Sequence, residues 1–252
     1  SGSAQWNPNT FENLEIANQS GDDLQTASTS DGKTWIAFYS QVDANYEMRV
    51  QLLDVNGTKL LGPNGMAVSS LPSGSATFVF NICVDANNSI IIGYQYEVAG
   101  TLTAVVTKVT TAGLLPWGDG VVLGAGLSPY PAINKTNDVI VCWNNNSPST
   151  LYVQKISSAG LLMWATPVAI TVGISNTTRG QIACHTNGDF TVVFQKRSFG
   201  ISTTLYAQRY NNNGATLWTS PVQLSNETTS GARYYSILTD GNTAYYGYYS
   251  SV

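Results

Sequence analysis

The chain has 252 residues, enough for one large all-β domain or two small ones, and only 10% of them are charged. Eleven basic residues against fifteen acidic ones give a net charge of -4, with no basic run. That balance excludes a nucleic-acid footprint, and the longest apolar stretches are strand-sized, too short for a membrane-spanning helix. Asn, Ser, Thr, Gly and Tyr take the place of charge, which is the surface chemistry of many secreted β proteins.

In chain order, the segment Trp6 to Ala17 reads as the tail of a repeat: Trp6, then Pro8, then alternating apolar residues. Residues 1–4 fit either an upstream repeat or the remnant of a leader. From Leu24 a regular unit begins: a strand at Gln25 to Ser30, a turn at Asp31-Gly32, a strand at Thr34 to Ser40, a strand at Tyr46 to Val55, and a fourth over Lys59 to Ser69. The unit restarts at Phe78 to Asp85 and Ile90 to Tyr96, at Ala132 to Asn134 and Val139 to Asn144, and at Gln181 to His185 and Phe190 to Lys196. A partial copy closes the chain, Arg233 to Thr239 and Ala244 to Ser250.

An aromatic ends each second strand (Tyr39, Tyr94, Trp143, Phe194, Tyr248), which sets a period of roughly fifty residues. Asx-Gly pairs at the turns supply the positive φ of tight hairpins. Short strands, Gly-marked turns and no helical periodicity predict an all-β fold, and four strands per unit predict a β-propeller. The expected molecule is a single five-bladed domain over 1–252. Its units are about 24–70, 78–123, 130–172, 180–225, and 232–252 joined by 2–18. The N-terminal strand is expected on the edge of the last blade, so that both ends share one sheet. Counted this way the ring is one third strand short.

The clearest copies of the repeat are Leu205 to Leu224, LYAQRYNNNGATLWTSPVQL, and Leu151 to Ile170, LYVQKISSAGLLMWATPVAI. Two others are worn. Arg49 to Val68 has Leu61 for the Trp, and Val105 to Val122 has Thr107 for the Gln. Because Trp117, Trp164 and Trp218 recur with the unit, they are expected between blades. The pattern resembles repeats in secreted Bacteroidetes proteins, which often carry a C-terminal type IX secretion sorting domain. The resemblance covers about four units and implies export and a propeller-like architecture. It implies no activity, and no sorting domain is visible in this sequence.

Few residues carry chemistry. Cys83, Cys142 and Cys184 sit in apolar strands and read as buried free thiols. The segment STSDGKTW, Ser28 to Trp35, resembles the Asp-box of sialidase-like propellers with its Asp shifted, and reads as a hairpin turn. His185, the one histidine, reads as a strand-end hydrogen-bonding residue, with no second ligand nearby for a triad or metal site. Asp22, Asp23, Asp43, Glu47 and Glu97 fall on the loops joining second to third strands and blade to blade. A glycosidase would need two of them to converge. Arg179, Lys196, Arg197 and Arg233 fall on the same face in the last two blades, giving a two-signed surface able to orient a polar partner. Tyr130 and Phe199 do not recur and are therefore further candidate contacts.

The sequence thus predicts an extracytoplasmic, non-catalytic recognition or scaffold module. Its expected partner is a glycan or a protein, with no cofactor, no nucleic acid and no membrane insertion. The alternative is a glycoside hydrolase or sialidase-like enzyme.

Overall fold

The computed structural model describes residues 14–18, 21–42, 45–71, 79–98, 100–145, 149–173, 176–198, 202–225 and 234–249. Within them, strands form five antiparallel sheets. Blade 1 is β1 (Gly21–Ser28), β2 (Thr34–Val42), β3 (Asn45–Leu53) and β4 (Met66–Ala67). Blade 2 is β5 (Asn81–Val84), β6 (Ile90–Val98), β7 (Thr101–Val109) and β8 (Val121–Ala125). Blade 3 is β9 (Leu127–Ile133), β10 (Val139–Asn144), β11 (Leu151–Ile156) and β12 (Val168–Ile170). Blade 4 is β13 (Asn176–Cys184), β14 (Phe190–Ser198), β15 (Ser202–Tyr210) and β16 (Val222–Gln223). Blade 5 is the hairpin β17 (Tyr234–Asp240) and β18 (Thr243–Tyr249).

First strands pack in succession, β1 on β5, β5 on β9, β9 on β13 and β13 on β17. They line a common axis from which the sheets radiate, so the fold is a β-propeller. Side-chain amides lace this inner ring. Gln25 donates to the Phe80 carbonyl, Asn81 to that of Pro129 (3.0 Å) and Gln181 to that of Tyr235 (2.9 Å).

Each inner blade buries both faces. Trp35, Ala37 and Tyr39 of blade 1 pack on Ile90, Ile92 and Tyr94 of blade 2. Ile91 and Val106 meet Val139, Val141 and Ile156 of blade 3. Ile140, Cys142 and Val153 meet Phe190, Val192 and Phe194 of blade 4. Ala183, Val193 and Ala207 meet Ile237 and Ala244 of blade 5. This two-sided burial explains why second strands such as Ile90-Ile91-Ile92 run apolar rather than alternating.

The recurring residues hold this geometry together. A five-residue turn joins first and second strands at 29–33, 85–89, 134–138 and 185–189. Its fourth residue is left-handed in every case: Gly32 (φ 84), Asn88 (62), Asn137 (63) and Gly188 (96). Gly and Asn tolerate that conformation best. The turns also clasp one another. Asn88 Oδ1 accepts from Ser30 N at 2.9 Å, Asn137 Oδ1 from Ala86 N at 2.8 Å, and Asn242 Oδ1 from Asn187 N at 3.0 Å. The STSDGKTW turn is part of this belt, and the Trp35 indole donates to the Asn88 carbonyl at 2.8 Å.

Between third and fourth strands, the Gly of one unit seats the Trp of the unit before it. A Cβ on Gly160 would lie 2.6 Å from the Trp117 ring, one on Gly214 3.1 Å from Trp164, and one on Gly113 3.1 Å from Leu61. These glycines are also left-handed, φ 85, 81 and 75. The expected inter-blade place of Trp117, Trp164 and Trp218 is what the structure shows.

The repeat Gln pins the same turn. Gln154 Nε2 donates to the Trp164 carbonyl at 3.0 Å, and its Oε1 accepts from Lys155 N (2.7 Å) and Trp164 N (3.2 Å). Gln51 and Gln208 repeat this arrangement. The following base reaches back to the first turn: Lys108 to Asp85 at 2.7 Å, Lys155 to Asp138 at 3.1 Å, Arg209 to Asp189 at 3.1 Å.

Two sequence expectations need correction. Fourth strands are two to five residues long where the pattern predicted about ten, because the pinned turn consumes most of the stretch. Phe38, not Tyr39, is the counterpart of Tyr94 and Phe194. Counted from the shared turn, Tyr39 is one residue further on, and it faces blade 2 while Phe38 faces the other way. One residue along a strand changes the face. Of the N-terminal segment, residues 14–18 alone are described, and they form no strand. Ile16 and Ala17 pack on Ile36, Phe38 and Leu53, the side of blade 1 facing away from blade 2. Asn18 N donates to Asn64 Oδ1 at 2.9 Å, as Ser70 N, just past the fourth strand of blade 1, donates to Asp119 Oδ1 at 2.6 Å. The segment thus occupies the place of a chain leaving a preceding blade's fourth strand.

Candidate functional site

The end of the propeller opposite the turn belt carries the loops between blades and the entry of each first strand. Here the repeat breaks in one consistent way. Asp23 in β1 (φ 43), Ser128 in β9 (φ 55) and Arg179 in β13 (φ 53) are non-glycine residues in the left-handed region, at matching positions. The ladder register shifts at each: after Asp22, opposite the stretch between Cys142 and Asn144, and after Thr178. A bulge re-aims the side chains beside it, and left-handed non-glycine residues collect at binding sites because the strain must be held by surrounding structure.

Blade 4 gathers the cations at this end. Arg179 is exposed on its bulge. Lys196 lies opposite Thr177 and Arg197 opposite Asn176, so all three bases stand within a few residues of the strand entry. Lys196 rests its ammonium 5.7 Å from the Tyr206 ring centroid, and Arg197 is exposed. Arg233 and Phe199 lie outside the described residues.

The acids are less concerted. Glu47 is paired with Arg49 at 2.7 Å, and Arg49 also donates to the Asn64 and Gly65 carbonyls. Asp43 and the side chain of Asp22 lie outside what is described. Asp23 and Glu15 instead border a cavity of about 300 Å³ on blade 1, lined by Ile16, Ala17, Leu24 and Phe38. The carboxyls whose pKa moves, Asp31, Asp54, Asp119 and Asp138, all move down. Their strongest stabilising contacts are hydrogen bonds: Lys33 for Asp31, Thr58 N for Asp54 and Ser70 N for Asp119. For Asp138 burial pushes the pKa up, and the Thr136 hydroxyl, the Lys155 ammonium and Ser158 N together outweigh it. These groups stay ionised and sit in structural turns, unlike a catalytic acid, which needs its pKa raised.

The remaining candidates are structural. His185 is buried, with Nε2 2.8 Å from the Thr191 hydroxyl; burial and then Arg209 lower its pKa. All three cysteines are free, and burial raises each thiol. Tyr130, expected as a ligand contact, packs in the core between blades 3 and 4, and burial raises its phenol. It stands where Gln25, Asn81 and Gln181 lace the other blades, which is why it does not recur. No cluster of His, Cys, Asp and Glu fit for a metal occurs among the described residues. No helix long and apolar enough to cross a membrane occurs among the described residues. Sequence reasoning missed Ser128 and the bulges; the adjacent Pro129 and Gly180 were their one faint sign.

No protein-family model matches the chain, and no curated protein does. Solved structures do. A protein of unknown function from Dyadobacter fermentans superposes with TM-score 0.55 at 13% identity, over 90% of this chain and 72% of that one. An endo-arabinase from Bacteroides thetaiotaomicron gives 0.53 at 13% identity, over 94% and 92%. A polysaccharide lyase, ulvan lyase, solved also with -[GlcA(1-4)Rha3S]- bound, gives 0.58 at 10% identity, over 92% of this chain but 61% of its own. At such identities the likeness establishes the fold, the five-bladed propeller class.

Proposed function

We propose that this chain is an exported, non-catalytic module that binds an acidic glycan at the loop end of the propeller, with Arg179, Lys196 and Arg197 as its principal contacts. The observation that carries the reading is the gathering of three bases at one end of blade 4, Lys196 and Arg197 leaving opposite faces of β14 and Arg179 standing on a strained bulge. Guanidinium groups match carboxylate and sulfate geometry. The glycan-acting propellers of matching shape, one holding -[GlcA(1-4)Rha3S]-, support a glycan partner. Export accords with the neutral polar surface and with the resemblance to secreted Bacteroidetes repeats, and a type IX route is part of the proposal.

The test is titration with ulvan or polygalacturonate against neutral arabinan, using wild type and the Arg179→Gln/Lys196→Gln/Arg197→Gln variant. The expected result is salt-sensitive binding of the acidic polymers alone, weakened at least about tenfold in the variant, with no product released. Equal binding of arabinan, or unchanged affinity in the variant, overturns the reading. The second reading, a glycan-cleaving enzyme, is favoured by the activities named for the similar structures. New reducing ends or unsaturated sugars in the same incubation would establish it instead.

A further inference from the structure

Blades 2 to 4 each seat a repeat base on an acid of their own first turn, and what else the base touches differs. The Lys108 ammonium stands 5.9 Å from the centroid of the Trp117 ring. Arg209 donates to the Asn242 backbone carbonyl at 3.1 Å. Of the three, Lys155 is the one that meets a side-chain carboxamide. Its Nζ donates to Asn212 Oδ1 of blade 4 at 2.9 Å and stands 3.1 Å from Asp138 Oδ2. Asn212 departs from the repeat. Counted from the Gly of the same turn, blades 1 to 3 have Val55, Thr111 and Ser158 at its place.

An amine, a carboxylate and a primary amide in one buried site are the parts of an amide-forming reaction. Lys155 is 5% exposed, and the Asp138 side chain 13%. Asn212 Cγ is one carbonyl bond beyond Oδ1, so it lies no more than about 4 Å from Nζ. A shift of less than about 1 Å brings the two atoms to attack distance. Asn134 Nδ2 also donates to Asn212 Oδ1, at 3.3 Å. It polarises the carbonyl and remains to hold the oxyanion when Lys155 moves from oxygen to carbon. Asp138 is ionised, as a base must be, and is fixed by the Thr136 hydroxyl at 2.7 Å and Ser158 N at 3.3 Å.

We propose that Lys155 and Asn212 join in an isopeptide bond that staples blade 3 to blade 4. The Lys155 ammonium first passes a proton to Asp138 Oδ2. Burial makes this transfer less costly than in water, because it turns two charges into two neutral groups. The free amine attacks Asn212 Cγ, forming the new C–N bond. Asp138 returns its proton to the amide nitrogen, and the old C–N bond breaks to release ammonia. The remaining extra proton of the new amide passes through Asp138 to that ammonia, which departs as ammonium. One ammonium group and one primary amide thus give one secondary amide and one ammonium ion, with no oxidant or other reactant. Asp138 is a weak base, so the reaction is slow; it has to occur once per molecule.

Intact mass spectrometry of the full chain, followed through prolonged incubation at mildly alkaline pH, tests this. The expected product is one ammonia lighter than the sequence, and its digest contains a branched peptide joining Lys155 to Asn212. Lys155→Arg and Asn212→Ser use residues the repeat already carries at those places, Arg209 and Ser158, so both chains should fold and both should keep the full mass. Asp138→Asn should slow the loss of ammonia at least about a hundredfold. Wild-type protein that stays at full mass overturns the proposal. So does a loss of ammonia that persists in Lys155→Arg, which marks a succinimide at Asn56-Gly57, Asn187-Gly188 or Asn213-Gly214. An unchanged rate in Asp138→Asn overturns it as well.

Discussion

The two ends of the propeller are built from the same strands and obey different rules. At the turn end every unusual conformation falls on a residue suited to it, and most polar groups are held within their own turn or clasp the neighbouring blade's turn. At the loop end Asp23, Ser128 and Arg179 adopt the left-handed conformation without being glycine, and Asp23, Arg179 and Arg197 stand exposed. Repetition conserves what holds blades together; the departures from it collect where a partner can reach. A residue dictated by the repeat therefore reports on the fold, and one that strains against it reports on use.

Substitutions can break this contrast. The largest effect is expected from Gly160→Val, which combines a left-handed φ of 85 with a Cβ 2.6 Å from Trp117. A loss of about 3–4 kcal/mol in chemical denaturation is expected, and Trp117→Ala in the same chain should relieve the steric share but not the backbone share. Next is Gln154→Ala, which leaves the Trp164 carbonyl and two backbone N–H groups unpaired, at a cost of about 2–3 kcal/mol. Asp138 comes third. Its pKa is lowered in the fold from 3.8, so the stability it contributes is present above that value and is lost as pH falls below it. Asp138→Asn should flatten that acid limb of a stability–pH profile.

Smaller effects sharpen the contrast. Thr107, where the worn unit lacks its Gln, is buried with an unpartnered hydroxyl, so Thr107→Val should be neutral or stabilise by up to about 1 kcal/mol in thermal melts. At the loop end Ser128→Gly should stabilise by about 0.5 kcal/mol, since glycine removes the left-handed strain at some entropic cost. The same substitution at a turn-end position would destabilise. A destabilising Ser128→Gly would mean that its conformation is held by packing and not by use.

Much of the fold was legible because spacing alone locates strands, turns and the Gly–Trp pairs. Less legible was which face each residue takes: Tyr39 looked like the period marker until the turn at Thr29 to Lys33 fixed the count. The fourth strands were overestimated because an apolar, Gly-containing stretch such as Lys59 to Val68 serves a pinned turn as well as it serves a strand. The site was harder still. Charge at Arg179, Lys196 and Arg197 is visible in sequence, but a bulge is a shift in pairing and has no residue of its own. Tyr130 misled for the opposite reason, since a residue that fails to recur can simply be a different solution to the same packing problem.

The seat of Trp117 and Trp164 on the following unit's glycine has a bearing on how such an array can grow. The two partners belong to neighbouring copies, yet every full copy contains both, with Leu61 in the tryptophan's place in the first. Unequal crossing-over that duplicates or deletes a whole copy therefore leaves every junction matched. A ring of one size can give rise to another without any new contact having to be invented.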